Sequence, residues 1–499
     1  MFDGGGVVRG ADGIARYEGL PGSLVHMLRA TAGDLPEREA LAETGGGPRL
    51  TYRELWGRAS RVAGGLRAAG INPGDRVAIR LANGVDWVLA FFGTQLAGAI
   101  AVPVNTRFTE DEARYVIEDS GASYIFDGGA LPDGPPLAAD DVRADDPAAI
   151  FYTSGTTGFP KGAVTTHANF LSNCESCRRA IGIDAGGPIR TLVSVPLFHV
   201  TGCNSQLLVA CYLGGTTVIM PQFEVNAFLR AIEDEHIDVL TTVPAIYWLA
   251  INSPGFSGID VSAVRFLSYG GAPIAPELVG RIKEAFPQAR VGNGFGLTET
   301  SSLTTYLPHE YAVEHADSVG FPVPVCDLRL DDLFDEKGVG ELLIRGPNVV
   351  AGYWNKPEAT DEAFAGGWLR TGDIARIDED GLVHIVDRAK DMINRGGENV
   401  YCVEVENALA GAPGVFEAAV VGVPDEVMGE KVGAVIVPMP GGVDVDAVLA
   451  HLSGRLADFK VPQYVAIRAD PLPRNPGGKV LKRLIRDDLL PDHPPRSDH

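Results

Sequence analysis

Residues 152–164 have a composition that suits the binding of a polyanion. Their sequence, YTSGTTGFPKGAV, combines glycines and hydroxyl side chains with a lysine. Glycines let backbone N–H groups approach a ligand closely, hydroxyl groups add further donors, and a lysine adds a mobile positive charge. Phosphate is the ligand that this combination favours, and a glycine- and threonine-rich surface turn is the alternative.

The spacing in this segment differs from that of the phosphate-binding loop of Walker-type ATPases. Gly155 and Gly158 are three positions apart and Lys161 follows a proline, so the pattern G-x-x-x-x-G-K-[ST] is not satisfied. A Walker-type ATPase is therefore disfavoured. The segment is predicted to lie between a strand, AAIFYT, and a helix that begins at His167.

The elements around this segment alternate between strand and helix patterns. From residue 51 a helix is followed by RVAIRL, a helix, AIAVPVN, a helix and SYIF, and after the glycine-rich segment come TLVSVPLFHV, GTTVIM, a helix, IDVLTTVP and VRFLSYGG. Such alternation predicts an α/β protein with parallel strands and helices on both faces of the sheet. Residues 317–390 change to short strands with Gly and Asp turns, which indicates a β-rich subdomain.

The last part of the chain reads as a small α+β unit. It contains a helix from Val403, the strands AAVVGVP and VGAVIVP, a helix over residues 445–456, the strand PQYVAIR and the loop PLPRNPGGKVLKR. We therefore predict a large N-terminal domain of layered α/β sheets at residues 1–389 and a C-terminal domain at residues 390–499.

Composition and charge exclude several classes of function. The 499 residues include 65 Asp and Glu against 42 Lys and Arg, and the resulting net charge of −23 repels nucleic-acid backbones and anionic lipid surfaces. Six cysteines without a dense spacing pattern fit a reducing compartment. The N-terminal sequence MFDGGGVVRG lacks a secretory signal pattern. We expect a cytoplasmic protein whose nucleic-acid partner, if it has one, is a mononucleotide.

Two further patterns have a structural interpretation. Cys174 and Cys177 form a lone C-x-x-C, which suits neighbours on one helix face because no second pair follows. Residues 87–104 carry no charge over nearly the length of a bilayer span, but polar residues, glycines and a proline lie within them. For this segment we expect a buried helix that leads into a buried strand, and no membrane span.

Five segments, in order, resemble the adenylate-forming superfamily, which includes acyl-CoA synthetases, luciferases and the adenylation domains of peptide synthetases. They are residues 152–164, GFGLTET, WLRTGDIA, DRAKDMINRGGENVYCVEVE and PRNPGGKVLKR. The resemblance covers most of the chain and is strongest to bacterial fatty or aromatic acyl-CoA synthetases. It implies an N-terminal AMP-binding domain and a mobile C-terminal domain that rotates between an adenylating and a thioester-forming pose.

The resemblance implies a two-step ligation with ATP, Mg²⁺ and coenzyme A. A carboxylate is a poor electrophile, so it first attacks the α-phosphorus of ATP, expels pyrophosphate and becomes an acyl-adenylate, from which the thiol of coenzyme A displaces AMP. Because both steps build negative charge on oxygen, the site needs cationic and N–H donors more than it needs a base.

The resemblance also assigns roles in nucleotide binding. The glycine-rich segment would hold the ATP phosphates through Thr153, Ser154, Gly155, Thr156, Thr157 and Lys161. The adenine base and the α-phosphate would contact Gly271, Ala272, Pro273, Asn293, Gly294, Phe295, Gly296 and Thr298. Asp373 would accept both ribose hydroxyls, and Arg388 would assist at the ribose or at the α-phosphate. Glu299, aided by Thr153, would bind Mg²⁺.

The C-terminal domain would supply the residue that drives adenylation. Lys479 matches the lysine that bridges the attacking carboxylate and the α-phosphate. Lys390 stands at the hinge position, and Gly396 and Gly397 would line the path of coenzyme A. Asn394 departs from the family pattern, because hydroxycinnamate-type ligases often carry a lysine there.

The acyl end of the site is predicted from the segment PLFHVTG. His199 would gate the carboxylate at the mouth of the pocket, and it stands where peptide-synthetase domains usually carry an aspartate, so amino-acid substrates are disfavoured. The candidate pocket walls are Thr201, Gly202, Cys203, Ser205, Tyr247 and Trp248. Small residues at 201–203 leave room for a medium or long fatty chain or an aromatic ring.

Three alternatives to an acyl-CoA synthetase for a hydrophobic acid stay open. They are an acyl-AMP ligase that loads a carrier protein, an adenylation domain for an unusual acid, and a non-catalytic nucleotide sensor. The sensor is disfavoured because Lys161, Glu299, Asp373 and Lys479 are all present. The expected partners are a small carboxylic acid and coenzyme A, without nucleic acid, and a homodimer is compatible with the sequence.

Overall fold

The computed structural model describes residues 2–153, 160–184, 187, 189–272, 274–331, 338–474 and 480–486. The chain forms two compact units, Met1–Leu328 with Leu343–Arg370 and Arg329–Leu342 with Thr371–His499. Each unit has its own buried hydrophobic core. The division after residue 370 lies before the boundary predicted at residue 390, which stays a prediction.

The strands and helices are numbered in chain order. The strands are β1 (Val7–Arg9), β2 (Ala15–Tyr17), β3 (Glu39–Glu43), β4 (Arg49–Thr51), β5 (Arg76–Ile79), β6 (Ile100–Pro103), β7 (Ala122–Phe126), β8 (Pro147–Thr153), β9 (Lys161–Thr166), β10 (Arg190–Val193), β11 (Thr216–Ile219), β12 (Val239–Thr242), β13 (Phe266–Gly270), β14 (Arg290–Phe295), β15 (Thr305–Leu307), β16 (Phe321–Pro322), β17 (Asp327–Asp331), β18 (Val339–Arg345), β19 (Phe364–Ala365), β20 (Trp368–Ile377), β21 (Val383–Arg388), β22 (Ile393–Arg395), β23 (Glu398–Val400), β24 (Val415–Asp425), β25 (Gly429–Pro438) and β26 (Tyr464–Ile467). The α-helices are α1 (Leu24–Asp34), α2 (Tyr52–Ala68), α3 (Val85–Leu96), α4 (Glu110–Ser120), α5 (His167–Ile181), α6 (Leu208–Tyr212), α7 (Val225–Asp234), α8 (Pro244–Asn252), α9 (Pro276–Ala285), α10 (Pro357–Ala363), α11 (Cys402–Ala410), α12 (Val445–Ser453) and α13 (Lys482–Leu484). A π-helix spans Thr201–Leu207, and 3₁₀-helices span Phe256–Gly258, Thr298–Thr300 and Asp458–Lys460.

Two sheets of the first unit carry the α/β pattern that the sequence predicts. The larger has nine strands in the order β16-β15-β14-β13-β12-β10-β11-β3-β4, and its six inner strands, from β14 to β3, are parallel. The smaller has the order β7-β5-β6-β8-β9 and is parallel except for the β8–β9 pair. The predicted α/β class is thereby confirmed.

The two ends of the glycine-rich segment belong to the two strands of a hairpin. The sequence analysis did not predict the second of these strands, β9, which begins at Lys161 within the segment, runs antiparallel to β8 and leads into α5. A Cβ atom on Gly162 would lie 2.6 Å from the side chain of Ile150, so the close approach of the two strands requires glycine there. α5 begins where predicted, at a Thr166 cap that accepts the N–H of Asn169.

The charge-free segment at residues 87–104 forms the buried helix and buried strand that were expected. α3 is buried along almost its whole length, its Trp87 and Phe91 rings stack at 5.4 Å, and every residue of β6 is buried. No helix in the described part of the chain is long and apolar enough to span a bilayer. Cys174 and Cys177 are neighbours on α5, as predicted, with both thiols in the core.

The later parts of the chain are sheets with little helix. The β-rich part predicted for residues 317–390 is a sheet of order β17-β18-β20-β19, with β21 paired to β20. The last sheet has the order β23-β22-β25-β24, with β26 paired to β25, and its core includes side chains of α11 and α12. The small α+β unit predicted at the end of the chain is thus present.

Two glycines of α2 give a matched test of close packing. Gly65→Ala is expected to destabilise the protein by about 1–3 kcal/mol, because the added Cβ atom would lie 2.5 Å from the carbonyl carbon of Pro132. Gly57→Ala puts the same methyl group on the same helix where nothing lies within 4 Å, and is expected to stabilise it by up to about 1 kcal/mol. Thermal unfolding measures both changes, and equal shifts in melting temperature would contradict this packing.

His167, the first residue of α5, predicts a loss of stability in acid. Burial lowers the pKa of its imidazole to about 4, against an ordinary 6.5, and its Nδ1 accepts the N–H of Leu24 at 3.3 Å. Its contribution is therefore complete above pH 6.5 and is lost as the pH falls towards 4. His167→Gln should flatten the fall in melting temperature over that range, whereas His236→Asn, at an exposed position, should not. Equal pH profiles for wild type and His167→Gln would contradict the assignment.

Candidate functional site

The glycine-rich hairpin is fixed at the ends of its two strands. Thr153, the last residue of β8, donates its hydroxyl to the carbonyl of Lys161 at 3.4 Å. Tyr152 donates to Asp119 at 2.8 Å, and Lys356 pairs with the other oxygen of the same carboxylate at 2.8 Å. The predicted phosphate ligands between the strands, Ser154, Gly155, Thr156 and Thr157, lie outside the described residues.

Lys161 and Glu299, which were predicted to act on ATP from distant parts of the sequence, contact one aromatic side chain. The Lys161 ammonium lies 5.2 Å from the centre of the Tyr353 ring. The Tyr353 hydroxyl donates to Oε1 of Glu299 at 2.8 Å. Sequence reasoning missed Tyr353, because an aromatic residue in AGYWNKPE cannot be told from one that packs in a core. The fold brings Tyr353 next to β9, the strand that begins at Lys161.

Glu299 lies in a short turn with unusual backbone geometry. The turn is the 3₁₀-helix Thr298–Thr300, which follows β14, and the Leu297 N–H donates to the Thr300 hydroxyl at 2.8 Å. Ser301 and Ser302, which follow, have φ values of 53° and 113°. Non-glycine residues rarely adopt such values, and when they do they cluster at functional sites.

The residues predicted to contact adenine come from the carboxyl ends of neighbouring parallel strands. Gly271 and Ala272 follow β13 and are exposed, whereas Asn293, Gly294 and Phe295 end β14, with Asn293 buried and the Phe295 ring partly exposed. Gly296 follows directly. Ligands of open α/β sheets bind at such carboxyl ends. Pro273 lies outside the described residues.

Most of the predicted acyl-pocket residues lie on the π-helix, and His199 lies two residues before it; Tyr247 and Trp248 lie on α8. The His199 ring contacts that of Phe198, with 4.7 Å between centroids. Ser205 exchanges a hydrogen bond with Ser302 at 2.7 Å, and Asn204 donates to the carbonyl of Ser301 at 2.9 Å. These hydrogen bonds connect the π-helix to the turn that follows Glu299. The sequence analysis did not predict the π-helix. Single π-helical turns occur often at functional sites.

Two of the predicted pocket walls have structural roles that the sequence did not reveal. A Cβ atom on Gly202 would collide with the carbonyl oxygen of Pro196. The space beside Gly202 is therefore filled by the Pro196 backbone and does not leave room for a ligand. Tyr247 is 0% exposed and donates to the carbonyl of Ser268 at 2.9 Å, within the second core of the unit. Burial raises the pKa of Tyr247 well above its ordinary value. For the remaining walls, Cys203 is fully buried, and Thr201, Ser205 and Trp248 are partly exposed.

The residues predicted to bind ribose lie on paired strands of the second unit. Asp373 of β20 is opposite Arg388 of β21, and the Arg388 Nε atom lies 2.7 Å from Oδ1 of Asp373. The Asp373 side chain is 3% exposed and that of Arg388 is 35% exposed. A buried carboxylate held by a guanidinium presents its oxygens in a fixed orientation, which suits it to accept hydroxyl groups.

The hinge and thiol-path residues lie a few positions further along. Burial lowers the pKa of the Lys390 ammonium. Gly396 and Gly397 have φ values of 62° and 93° in the β22–β23 turn, so both need glycine, and Asn394 Oδ1 accepts the N–H of Gly397 at 3.0 Å. Asn394 thus stabilises this turn, which is a structural reason for its departure from lysine. Lys479 lies outside the described residues.

The site offers a carboxylate oxygen donor for a hard cation such as Mg²⁺, but the described side chains alone do not complete a coordination shell. Among the residues that the structure describes, no group of three or more His, Cys, Asp or Glu side chains could hold a metal ion. Mg²⁺ that binds with a nucleotide needs only one or two carboxylates, because phosphate and water oxygens complete its shell. Glu299 fits that requirement.

The family matches cover most of the chain. The AMP-binding enzyme family matches residues 28–139 and 127–354, and the AMP-binding enzyme C-terminal domain matches residues 404–479. A feruloyl-CoA synthase of an Amycolatopsis species is 40% identical over 476 residues, covering 90% of this chain and 95% of its own. A long-chain-fatty-acid–CoA ligase of Mycobacterium tuberculosis, FadD13, is 37% identical over 495 residues, covering 92% and 97%.

Comparison with solved structures supports the same family. The o-succinylbenzoate CoA synthetase of Bacillus subtilis in complex with its acyl-adenylate intermediate superposes with a TM-score of 0.83 at 29% identity, covering 93% of this chain and 98% of that one. The ordered motifs, the two-unit fold and the extent of these matches lead to one conclusion. The chain belongs to the family of AMP-binding, adenylate-forming enzymes.

Proposed function

We propose that this chain is an AMP-forming carboxylate–CoA ligase that activates a hydrophobic acid, fatty or aromatic, through an acyl-adenylate. The observation that carries the proposal is the joint contact of Lys161 and Glu299 with Tyr353, next to the hairpin whose turn is the family's signature. A feruloyl-CoA synthase and a long-chain-fatty-acid–CoA ligase among the relatives support a hydrophobic substrate.

In this proposal the first unit binds the phosphates and the base of ATP. Lys161 and the hairpin turn neutralise the β- and γ-phosphates, and Thr298 donates to the α-phosphate. Phe295 stacks on the adenine, for which a partly exposed ring is available. Glu299, with Thr153, would hold Mg²⁺, which when bound offsets the charge of the phosphates. These residues act by electrostatic stabilisation of charge on oxygen.

Asp373 and Arg388 are proposed to bind the ribose. Each of the two hydroxyls of a ribose can donate to one oxygen of a single carboxylate, so Asp373 suits this task. Arg388 orients the carboxylate through the 2.7 Å contact. Lys390 is the proposed hinge, and Gly396 and Gly397 the proposed path of coenzyme A, in a C-terminal domain at residues 390–499.

At the acyl end, His199 is proposed to stand beside the substrate carboxylate. Thr201 and Ser205, which are partly exposed on the π-helix, are the preferred wall residues, together with Cys203. Gly202 and Tyr247 are proposed to support this wall without contacting the substrate. Gly202 lets the π-helix pack against the Pro196 carbonyl, and Tyr247 is hydrogen-bonded within the core. Six buried, unpaired thiols fit the proposed cytoplasmic location, and a homodimer is the proposed alternative to a monomer.

A panel of acids tests the proposed reaction. With ATP, Mg²⁺ and coenzyme A, we expect AMP release with fatty, benzoic or cinnamic acids, and no release when coenzyme A is omitted. AMP release that needs a phosphopantetheinylated carrier protein instead would favour the carrier-loading ligase. A protein that binds ATP but turns over no acid would be the nucleotide sensor.

Lys479→Ala is expected to separate the two half-reactions. Loss of the ammonium should lower the rate of acyl-adenylate formation by about 100-fold or more, because it removes a preorganised charge at the reacting oxygens. Thioester formation from preformed acyl-AMP should be unchanged. The two rates are measured by acid-dependent pyrophosphate exchange and by AMP release from acyl-AMP with coenzyme A.

The control for this variant is Lys460→Ala, which removes a lysine that pairs with Glu404 at 2.7 Å. It should leave both half-reactions intact. Equal losses in the two half-reactions of Lys479→Ala would contradict the division of labour.

Asp373→Asn is expected to abolish recognition of the ribose. The KM for ATP should rise by about tenfold or more, because hydrogen bonds to a charged acceptor are lost, while the KM for the acid stays the same. Wild type should discriminate against 2′-deoxy-ATP, and the variant should not. Asp378→Asn, in the β20–β21 hairpin, is the control and should keep the discrimination. An unchanged preference of Asp373→Asn for ATP over 2′-deoxy-ATP would remove Asp373 from the ribose site.

A further inference from the structure

Tyr353 is fixed to the strand that follows the glycine-rich turn. The residue forms an isolated antiparallel β-bridge with Ala163 of β9. On either side, Trp354 donates its N–H to the carbonyl of Gly162 at 2.7 Å, and Val164 donates to the carbonyl of Gly352 at 3.0 Å. The backbone at residues 352–354 therefore continues the sheet beside β9, whose first residue is Lys161.

Tyr353 is also held by residues of α10 and β19. The Tyr353 N–H donates to the Thr360 hydroxyl at 2.9 Å, and the Tyr353 ring meets that of Phe364 edge to face at 5.6 Å. Gly352 has a φ of 147°, and a Cβ atom there would lie 2.5 Å from Thr360, so this approach requires glycine. The position and tilt of the ring are thus determined by the fold.

The ring contacts opposite charges at two of its surfaces. Its face lies 5.2 Å from the Lys161 ammonium, and its hydroxyl donates to Oε1 of Glu299. Among the described contacts, none falls on Oε2 of Glu299, and Lys161 and Glu299 form no ion pair with each other.

A lysine and a glutamate that reach the same polyanion would otherwise pair with each other. Such a pair would neutralise the charge that each must offer to the ligand. Tyr353 engages the ammonium through its ring face and the carboxylate through its hydroxyl, so the two charges remain separate. The free oxygen of the carboxylate stays in a defined orientation, which is the usual effect of a hydrogen-bond partner behind a metal ligand.

We propose that Tyr353 is a positioning residue, which orients Glu299 towards the divalent cation of the nucleotide and keeps Lys161 available for the phosphates. The proposal rests on the proposed function, in which Glu299 meets the cation and Lys161 the phosphates. Tyr353 itself does not touch the substrate. Its hydroxyl serves the carboxylate, and its ring serves the ammonium, so the two contributions can be separated by substitution.

Binding of Mn²⁺, followed by its electron paramagnetic resonance signal, tests the hydroxyl. The protein is titrated with Mn²⁺ in the presence of an α,β-methylene analogue of ATP, which cannot transfer its adenylate to an acid. Tyr353→Phe should weaken Mn²⁺ binding about tenfold, because the partner behind the carboxylate is lost. Binding of the analogue without metal should stay as in wild type, since the ring remains under Lys161. Tyr353→Leu should weaken both.

Two further variants separate positioning from general damage. Glu358→Gln changes an exposed side chain on α10, the helix that begins four residues after Tyr353, and should leave Mn²⁺ binding unchanged. Glu299→Gln should weaken Mn²⁺ binding, and adding Tyr353→Phe to it should have no further effect, because the hydroxyl acts through the carboxylate.

The outcomes distinguish this proposal from the function on which it rests. Wild-type Mn²⁺ binding by Tyr353→Phe, combined with weak binding by Glu299→Gln, would overturn the role of Tyr353 and leave the metal assignment intact. Wild-type binding by Glu299→Gln would overturn the metal assignment and the Tyr353 proposal together. An equal loss in Glu358→Gln and Tyr353→Phe would reduce Tyr353 to a structural residue of this segment.

Discussion

The separation of two opposite charges is the constraint on which this site depends. Lys161 and Glu299 both contact Tyr353, and at 4 Å in a partly buried site they would attract each other by about 4 kcal/mol. A cation–π contact of about 0.5–2 kcal/mol and a hydrogen bond to a carboxylate of about 1.5–3 kcal/mol are together of the same size. One tyrosine can therefore hold apart the two groups that are proposed to act on the phosphates and on their cation.

That arrangement is possible because the sheets bring remote segments to one place. β8 and β9 form the hairpin that presents Lys161, β14 leads into the turn of Glu299, and the backbone around Tyr353 extends the sheet beside β9. The turn after Glu299 is in addition hydrogen-bonded to the π-helix through Ser205 and Ser302. Hydrogen bonds thus connect the turn that follows Glu299 to the π-helix that carries most of the proposed acyl-pocket residues.

Much of the fold could be predicted from the sequence, because local patterns determine it. Apolar runs predicted α3 and β6. What the sequence could not reveal depended on contacts between distant residues: the strand β9 at the end of the glycine-rich segment, the Pro196 carbonyl against which Gly202 packs, and the carbonyl partner that places Tyr247 in the core. Tyr353 was missed for the same reason, since its two charged neighbours lie 54 and 192 positions away. The individual site assignments remain proposals.

The central claim is that this AMP-binding enzyme activates an acid by transferring adenylate to it before any thiol takes part. Exchange of labelled pyrophosphate into ATP, with a hydrophobic acid and Mg²⁺ but without coenzyme A, tests this most directly. The account predicts exchange that requires the acid and reaches saturation with it. Exchange that is absent with every fatty and aromatic acid, or that proceeds equally without one, would contradict it.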